Sequence, residues 1–163
     1  MKKFFILFMV FVLVMSFTAC ENEAKSSDSE PSSVERKETE EVEDMTAMKM
    51  SVIIGEQSFT ATLENNAATH ELAKMMEKAP ISIDMDDYSG FEKVGSLGKR
   101  LPTDNRQMTT QAGDIVLYSG NQIVMFYGSN SWDYTKIGRI DDLSGWEDAL
   151  GAGSVTVVFS IAK

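Results

Sequence analysis

The chain has 163 residues, of which 43% are hydrophobic, and it carries a formal net charge of −10 at pH 7. This acidic balance, without a basic stripe anywhere along the chain, argues against nucleic acid as a partner. The single cysteine excludes a disulfide framework within the chain and a zinc site built from several cysteines.

The N-terminal segment has the pattern of a secretory signal peptide. Two lysines precede the apolar run Phe4–Met15, which is short for a membrane span and is followed by an acidic polar tract. We therefore predict a signal peptide over residues 1–19 and a location on the extracytoplasmic side of the membrane.

The end of the signal peptide resembles the lipobox of bacterial lipoproteins, in which cleavage occurs before a cysteine that carries lipid. The matching residues are Phe17-Thr18-Ala19-Cys20, with Phe17 where the family usually has an aliphatic residue. The resemblance implies lipidation of Cys20, usually including a palmitate-type chain, and anchoring to the cell membrane, because more than one acyl chain suffices for stable attachment. The alternative is an ordinary signal peptide that ends near a cysteine.

Residues 20–47 have the composition of a disordered linker. Glu21–Asp44 contains ten acidic and three basic residues, several serines and almost no apolar side chains. Such a segment buries too little surface to offset the entropy of ordering it, so we expect a tether between the membrane and a domain over residues 48–163.

The residues from 48 onward form short apolar patterns of period two, separated by turn residues, as in β-strands. We predict strands over Lys49–Ile54, Ser58–Leu63, Ile81–Asp86, Phe91–Leu97, Ile115–Tyr118, Ile123–Tyr127, Thr135–Ile140 and Ser154–Ile161. The long polar segment Gly98–Gly113 is either a functional loop or contains a further short strand.

Two helices are also predicted. An apolar stripe predicts a helix over Ala67–Lys78 that ends before Pro80, and a shorter one is expected over Leu143–Leu150 with Ser144 as its N-cap. So many short strands with so few helices favour a mainly β fold, a small closed barrel of about eight strands or a sandwich.

The loop Gly128–Tyr134, directly after the predicted hairpin Ile115–Tyr127, is the best candidate for a ligand-binding surface. It combines aromatic rings with hydroxyl and amide groups, the mixture that binding surfaces use. The candidate ligand-binding residues are Tyr118, Tyr127, Ser129, Asn130, Trp132 and Tyr134. The alternative is that Trp132 folds back over a barrel mouth as a plug.

No specific catalytic or metal-binding motif is present in the sequence. There is no nucleophile elbow, P-loop or dinucleotide fingerprint, and His70 falls on the polar face of its helix. Asp84, Asp86 and Asp87 lack the glycine and distal glutamate of a calcium loop, so we interpret them as a solvated strand face and turn. We predict no cofactor and no metal.

Three stretches resemble the bacterial cyclophilin-like domain family, which includes small stand-alone barrels of unknown function. They are FEKVGSL from Phe91, LPTDNRQMTTQAGDIVLYSGNQIVMFYGSNSWDYTKIGRI from Leu101, and the closing VTVVFSI from Val155. The resemblance covers residues 48–163 and implies a closed, mainly β barrel of about eight strands with a flanking helix.

Prolyl isomerase activity is a separate question. Cyclophilins place a catalytic arginine in an F-H-R-V strand, and Phe91-Glu92-Lys93-Val94 laid over it puts Lys93 at the arginine position. Lysine lacks the planar guanidinium fork, and the F-M-I-Q-G-G run of cyclophilins is absent, so we expect Lys93 to be an outward strand residue. The predicted function is a non-catalytic binding or accessory module for a peptide or small molecule. The alternative is a weak peptidyl-prolyl isomerase or folding helper.

Overall fold

The structure, a computed structural model, describes residues 48–163. The predicted signal peptide, Cys20 and the predicted linker lie outside the described residues. Between residues 48 and 163, neither helix has the length and apolar character needed to cross a bilayer.

The described chain contains nine strands and two helices. In chain order they are β1 (Lys49–Ile54), β2 (Gln57–Leu63), α1 (Ala67–Lys78), β3 (Ile81–Tyr88), β4 (Glu92–Ser96), β5 (Arg106–Thr109), β6 (Asp114–Tyr118), β7 (Gln122–Phe126), β8 (Ser131–Ile140), α2 (Trp146–Leu150) and β9 (Val155–Ile161). The predicted mainly β fold with two helices is confirmed.

Eight of the strands form a closed antiparallel barrel in the order β2-β1-β9-β3-β4-β7-β6-β8, and β8 pairs back onto β2. The closing contact joins Ala61 to Ile140 and Leu63 to Gly138. A Cβ atom at Gly138 would collide with the backbone carbonyl of Thr62, so the two strands approach closely because this position has no side chain. Closure leaves these strands without free edges.

The segments on either side of the central hairpin contain more strand than loop. Segment 98–113 contains an additional short strand, β5, which confirms one of the two alternatives predicted for it, and the predicted loop Gly128–Tyr134 ends in the first residues of β8. β8 changes partner along its length: Ser131–Tyr134 pairs with β5, and Thr135 onward pairs with β6. The few apolar residues of 98–113 left the bounds and the partner of this strand unpredicted.

The barrel interior is filled by the alternate side chains of the strands together with one face of α1. Ala68, Leu72 and Met76 of α1 belong to the same buried cluster as Val52 and Phe159. Asn66 caps the helix by accepting a hydrogen bond from the backbone N–H of Thr69, 3.0 Å away. The apolar stripe predicted for this helix is therefore its core face.

The second helix is shorter than predicted and its N-cap is Gly145 rather than Ser144. The N–H of Ser144 donates instead to the Asp142 side chain, in the turn that precedes the helix. Trp146 is almost completely buried, packs edge-on against Phe59 and donates its Nε1–H to the carbonyl of Phe126.

The described residues are a self-contained folding unit. Every buried member of the core lies between Met50 and Phe159, and β1 pairs directly with the C-terminal strand β9. The backbone N–H of Ala162 still bonds to the carbonyl of Lys49. A fragment from Met45 to Lys163 therefore contains the whole core and the closed hydrogen-bond ladder of the barrel.

Candidate functional site

The outer surface of one barrel wall carries a second buried hydrophobic cluster, separate from the core. Successive residues of a strand point to opposite faces, so Ile115 and Leu117 of β6 enter the core while Val116 points outward. This outer-face cluster consists of Val116, Val124, Phe126 and Tyr134, with Phe91, Val94 and Met108 packed against it. The central hairpin is thus apolar on both faces because one face packs in the core and the other packs in this outer-face cluster.

A concave pocket of about 440 Å³ lies over this cluster. The residues that line it come from β3, β4, β6, β7 and β8 and from the segment that leads into β8. They are Tyr88, Glu92, Val94, Tyr118, Gln122, Val124, Asn130, Trp132 and Tyr134. We call this the outer-face pocket. Its volume lies in the range of small-molecule sites.

Three of the four aromatic residues of the pocket expose much of their surface. Tyr88 is 58% exposed, Trp132 57% and Tyr118 38%. Tyr134 is buried, with its ring centroid 6.1 Å from that of Tyr118. Asn130 Nδ2 donates to the Tyr134 hydroxyl at 3.0 Å and fixes its position. Large aromatic side chains left exposed around a concavity are typical of a binding surface.

Glu92 is the ionisable residue on the outer side of β4. It stands opposite Tyr88 of β3 and Phe126 of β7, and only 6% of it is exposed. Its Oε2 is buried and has no hydrogen-bond partner among the described residues. Burial raises the pKa of Glu92 to about 7, because the charged carboxylate loses water without gaining a partner.

Lys93 faces the opposite side of the wall and is fully buried, so the expectation of an outward Lys93 is wrong. Its Nζ donates to the carbonyls of Gly151 and Gly153 at 2.9 and 2.7 Å, and to Asp87 Oδ1 at 2.8 Å. It also lies 5.5 Å from the centroid of the Tyr127 ring. These contacts explain how the chain buries an ammonium group, and they leave Lys93 outside the outer-face pocket.

Four of the six predicted ligand-binding residues come together in the pocket: Tyr118, Asn130, Trp132 and Tyr134. Ser129 is not among the lining residues. Tyr127 points away from the pocket and donates its hydroxyl to Asp87. Burial and the neighbouring Asp87 carboxylate raise the pKa of Tyr127 to about 12. The alternative that Trp132 is a plug is wrong, because it is exposed while Trp146 is the buried tryptophan.

Sequence reasoning missed the pocket residues contributed by β3 and β4. Tyr88 and Glu92 lie 40 and 36 positions before Gly128, the first residue of the candidate loop, and strand pairing brings them to it. The period of two in FEKVGSL could have placed Glu92 and Val94 on one face and Lys93 on the other. It could not have shown which face was the interior.

No three His, Cys, Asp or Glu side chains of residues 48–163 lie close enough together to hold a metal ion. Asp84 and Asp86 accept hydrogen bonds from Thr156 and Ser154, both at 2.7 Å, across the β3–β9 pairing. His70 on α1 hydrogen-bonds through Nε2 to Asn65 at 3.0 Å.

The fold and site define a small closed antiparallel barrel with an aromatic pocket on its outer wall. Residues 52–160 match the model of the cyclophilin-like family, and the chain belongs to that family. A hypothetical protein from Archaeoglobus fulgidus, solved in solution, shares the fold with a TM-score of 0.51 and 17% identity, covering 74% of this chain and 98% of its own. No curated protein matches the sequence.

Proposed function

We propose that the protein is a lipid-anchored extracytoplasmic binding module whose barrel holds a small molecule or a peptide side chain in the outer-face pocket. The main support for this proposal is the pocket itself. Two aromatic residues that are more than half exposed, Tyr88 and Trp132, line a concavity of about 440 Å³. Exposing rings of this size to water is costly unless a ligand covers them.

The wall beneath the pocket supports a binding role rather than a catalytic one. Val94 and Val124 line the apolar floor of the pocket, Val116 and Phe126 pack with them in the same cluster, and β7 is held by strand pairing on both sides. The polar groups that accompany this floor are the amides of Asn130 and Gln122, three phenols and one carboxylate. This is the composition of a recognition site, in which a few polar groups orient an otherwise apolar ligand.

A ligand screen on the Met45–Lys163 fragment tests the proposal. Metabolites and short peptides are screened by thermal shift, and hits are mapped by NMR chemical-shift changes. We expect hits that perturb the indole of Trp132 and are lost in Trp132→Ala without loss of thermal stability. Ile53→Ala on β1, an exposed apolar residue on a different part of the barrel, is the matched control and should retain binding. A screen without hits, or hits that Trp132→Ala leaves unchanged, would contradict the proposal.

The lipid anchor is proposed from the lipobox resemblance alone and has its own test. The full chain is expressed in a bacterial host and the N-terminal peptide of the mature protein is analysed by mass spectrometry. We expect the peptide to begin at Cys20 and to carry a diacylglyceryl group, and globomycin to cause the unprocessed precursor to accumulate. An N-terminal peptide without lipid would count against the anchor.

The alternative, a weak peptidyl-prolyl isomerase, has less support from the geometry. The family resemblance places the catalytic cation at Lys93, which lies in the barrel interior, while the residue facing the pocket is the acid Glu92. We expect no acceleration of proline-peptide isomerisation by the Met45–Lys163 fragment. Acceleration that Trp132→Ala abolishes would establish the alternative instead.

A further inference from the structure

The charges around the outer-face pocket are unbalanced. Its lining contains one carboxylate, that of Glu92, and no lysine, arginine or histidine. The next residue along β4, Lys93, lies on the other side of the wall, where its Nζ donates hydrogen bonds to Asp87 and to two backbone carbonyls. Among the described residues, then, nothing cationic lines the pocket to neutralise Glu92.

Burying a carboxylate without a partner is unfavourable in free energy. The penalty is removed when the group takes up a proton or pairs with a cation. Glu92 has a buried oxygen with no hydrogen-bond partner and is 94% removed from water. A neutral ligand that covers the pocket would remove the remaining water and leave the carboxylate without a counter-charge. An anionic ligand would add repulsion. A neutral hydroxyl or amide could donate one hydrogen bond to the free oxygen, whereas a positively charged ligand supplies both the donor and the opposite charge and so gains most from the site.

The aromatic rings favour the same kind of ligand. The face of an indole or phenol ring carries partial negative charge and attracts an ammonium group within about 6 Å of its centroid. Tyr88, Tyr118 and Trp132 are exposed at the pocket, so their rings are available to a ligand. Several rings with one carboxylate are the usual components of a site for organic ammonium ions.

We infer that the outer-face pocket binds an organic ammonium ion, with Glu92 as its counter-ion and the rings of Tyr88, Tyr118 and Trp132 around its carbon atoms. This inference rests on the proposed binding function and names the class of ligand. The ligand is an amine that is cationic at neutral pH, either a free metabolite or the side chain or terminus of a peptide.

Binding of such a cation is coupled to the ionisation of Glu92. The titratable groups that face Glu92 are the phenols of Tyr88 on β3, Tyr118 on β6 and Tyr134 on β8. Burial raises the pKa of Tyr134 above its ordinary value. On the interior side lie Tyr127 and the Lys93–Asp87 ion pair. Because the pKa of Glu92 is about 7, affinity for a cation should fall about fivefold between pH 8 and pH 6.

A matched pair of probes tests the inference on the Met45–Lys163 fragment. Benzylammonium and benzyl alcohol have the same ring and nearly the same shape, and they differ in charge. Both are titrated at about pH 8 with NMR chemical-shift detection. We expect benzylammonium to bind about tenfold more tightly than the alcohol, with the affinity of the cation alone decreasing toward pH 6.

Two substitutions make the test specific. Glu92→Gln should remove most of the preference for benzylammonium over benzyl alcohol and leave only the smaller part due to the aromatic rings. Glu56→Gln, in the exposed β1–β2 turn, changes the net charge equally and should leave the preference intact. If Glu92→Gln fails to fold, Trp132→Ala serves in its place, because Trp132 is exposed and the loss of its ring should weaken the binding of benzylammonium more than that of benzyl alcohol. Equal weakening of the two probes would then overturn the inference.

The outcomes separate the inference from the proposed function. Equal binding of the two probes, or a preference that Glu92→Gln leaves undiminished, overturns the inference while the pocket remains a binding site. If neither probe binds, the inference is also overturned, and the ligand screen then decides the proposed function independently.

Discussion

Glu92 and Lys93 are consecutive residues of β4 that face opposite sides of the barrel wall. Glu92 lies in the outer-face pocket with an unpartnered oxygen, and Lys93 lies in the interior with its ammonium group bonded to Asp87 and to the carbonyls of Gly151 and Gly153. The acid and the base cannot neutralise each other because the wall separates them. The ammonium group of Lys93 is neutralised and hydrogen-bonded within the protein. The carboxylate of Glu92 can be neutralised by a ligand or by a proton.

Lys93→Met should strongly destabilise the fold. The substitution leaves Asp87 without its ion pair and two backbone carbonyls without their donor, while the new side chain has nearly the same length. We expect a loss of about 3 kcal/mol in the free energy of unfolding, measured by urea denaturation. Lys74→Met on α1 is the control: its pair with Glu71 is exposed, so the change should stay within about 0.5 kcal/mol. Equal effects of the two substitutions would contradict a structural role for Lys93.

The partners of Lys93 show why its burial could not be predicted. Gly151 and Gly153 lie 58 and 60 positions further along the chain, and only the pairing of β3 with β4 and β9 brings them near. A lone lysine in a strand is normally exposed, and the sequence contains no local sign of its distant acceptors. The fold, in contrast, follows from local patterns: α1 has the predicted bounds and the predicted strands all occur, with ends shifted by up to four residues.

Only part of the candidate site could be predicted from the sequence, because some of its residues are far apart along the chain. Asn130, Trp132 and Tyr134 are close in sequence, and their mixture of aromatic and polar groups marks them as a surface. Tyr88 and Glu92 complete the pocket through strand pairing, which the sequence does not reveal. The central hairpin contributes Val124 to the lining of this pocket, and Val116 and Phe126 belong to the same cluster.

Glu92 should make the fold less stable as the pH rises. Its pKa is about 7 in the folded protein and about 4.5 when exposed, so the native state holds a proton that the unfolded chain has lost between these values. Its contribution to stability is fully present below about pH 4.5 and is lost as the pH rises through 7. The difference corresponds to about 3 kcal/mol.

Comparison with Glu92→Gln isolates this contribution. The glutamine variant has no charge to desolvate, so its stability relative to the wild type should rise between about pH 5 and pH 8. The acids with lowered pKa values, such as Asp87 and Asp141, are present in both proteins and titrate below this window. Urea denaturation at a series of pH values measures the difference. A difference that does not change with pH would show that Glu92 is not desolvated in the native state.

The fluorescence of the two tryptophans should differ, because one lies in the pocket and the other in the core. Trp132 is exposed in the pocket, and Trp146 is buried against Phe59 with its indole N–H bonded to Phe126. Trp146→Phe leaves Trp132 as the emitter, and we expect red-shifted fluorescence that iodide quenches readily. Trp132→Phe should leave blue-shifted emission that resists quenching. If both variants are quenched equally, the assignment of Trp132 to an open pocket is wrong.

Trp146→Phe should also lower the stability, while Trp132→Phe should not. The first change removes a buried hydrogen bond and part of a core side chain, which we expect to cost about 2 kcal/mol. The second alters a side chain that is more than half exposed and should stay within about 0.5 kcal/mol. Thermal and urea unfolding of the two variants check this contrast.

The closing contact of the barrel gives a last prediction. Gly138 pairs with Leu63, and a methyl group there would meet the carbonyl of Thr62, a backbone atom that cannot rotate away. Gly138→Ala should therefore push β8 away from β2 and cost about 2 kcal/mol, with faster hydrogen exchange at the backbone amides that join them. Gly153→Ala is the matched control, because an added Cβ there would meet no atom within 4 Å. It should leave the unfolding free energy nearly unchanged. If Gly138→Ala is as stable as the control, the barrel closes with more space between β2 and β8 than these contacts require.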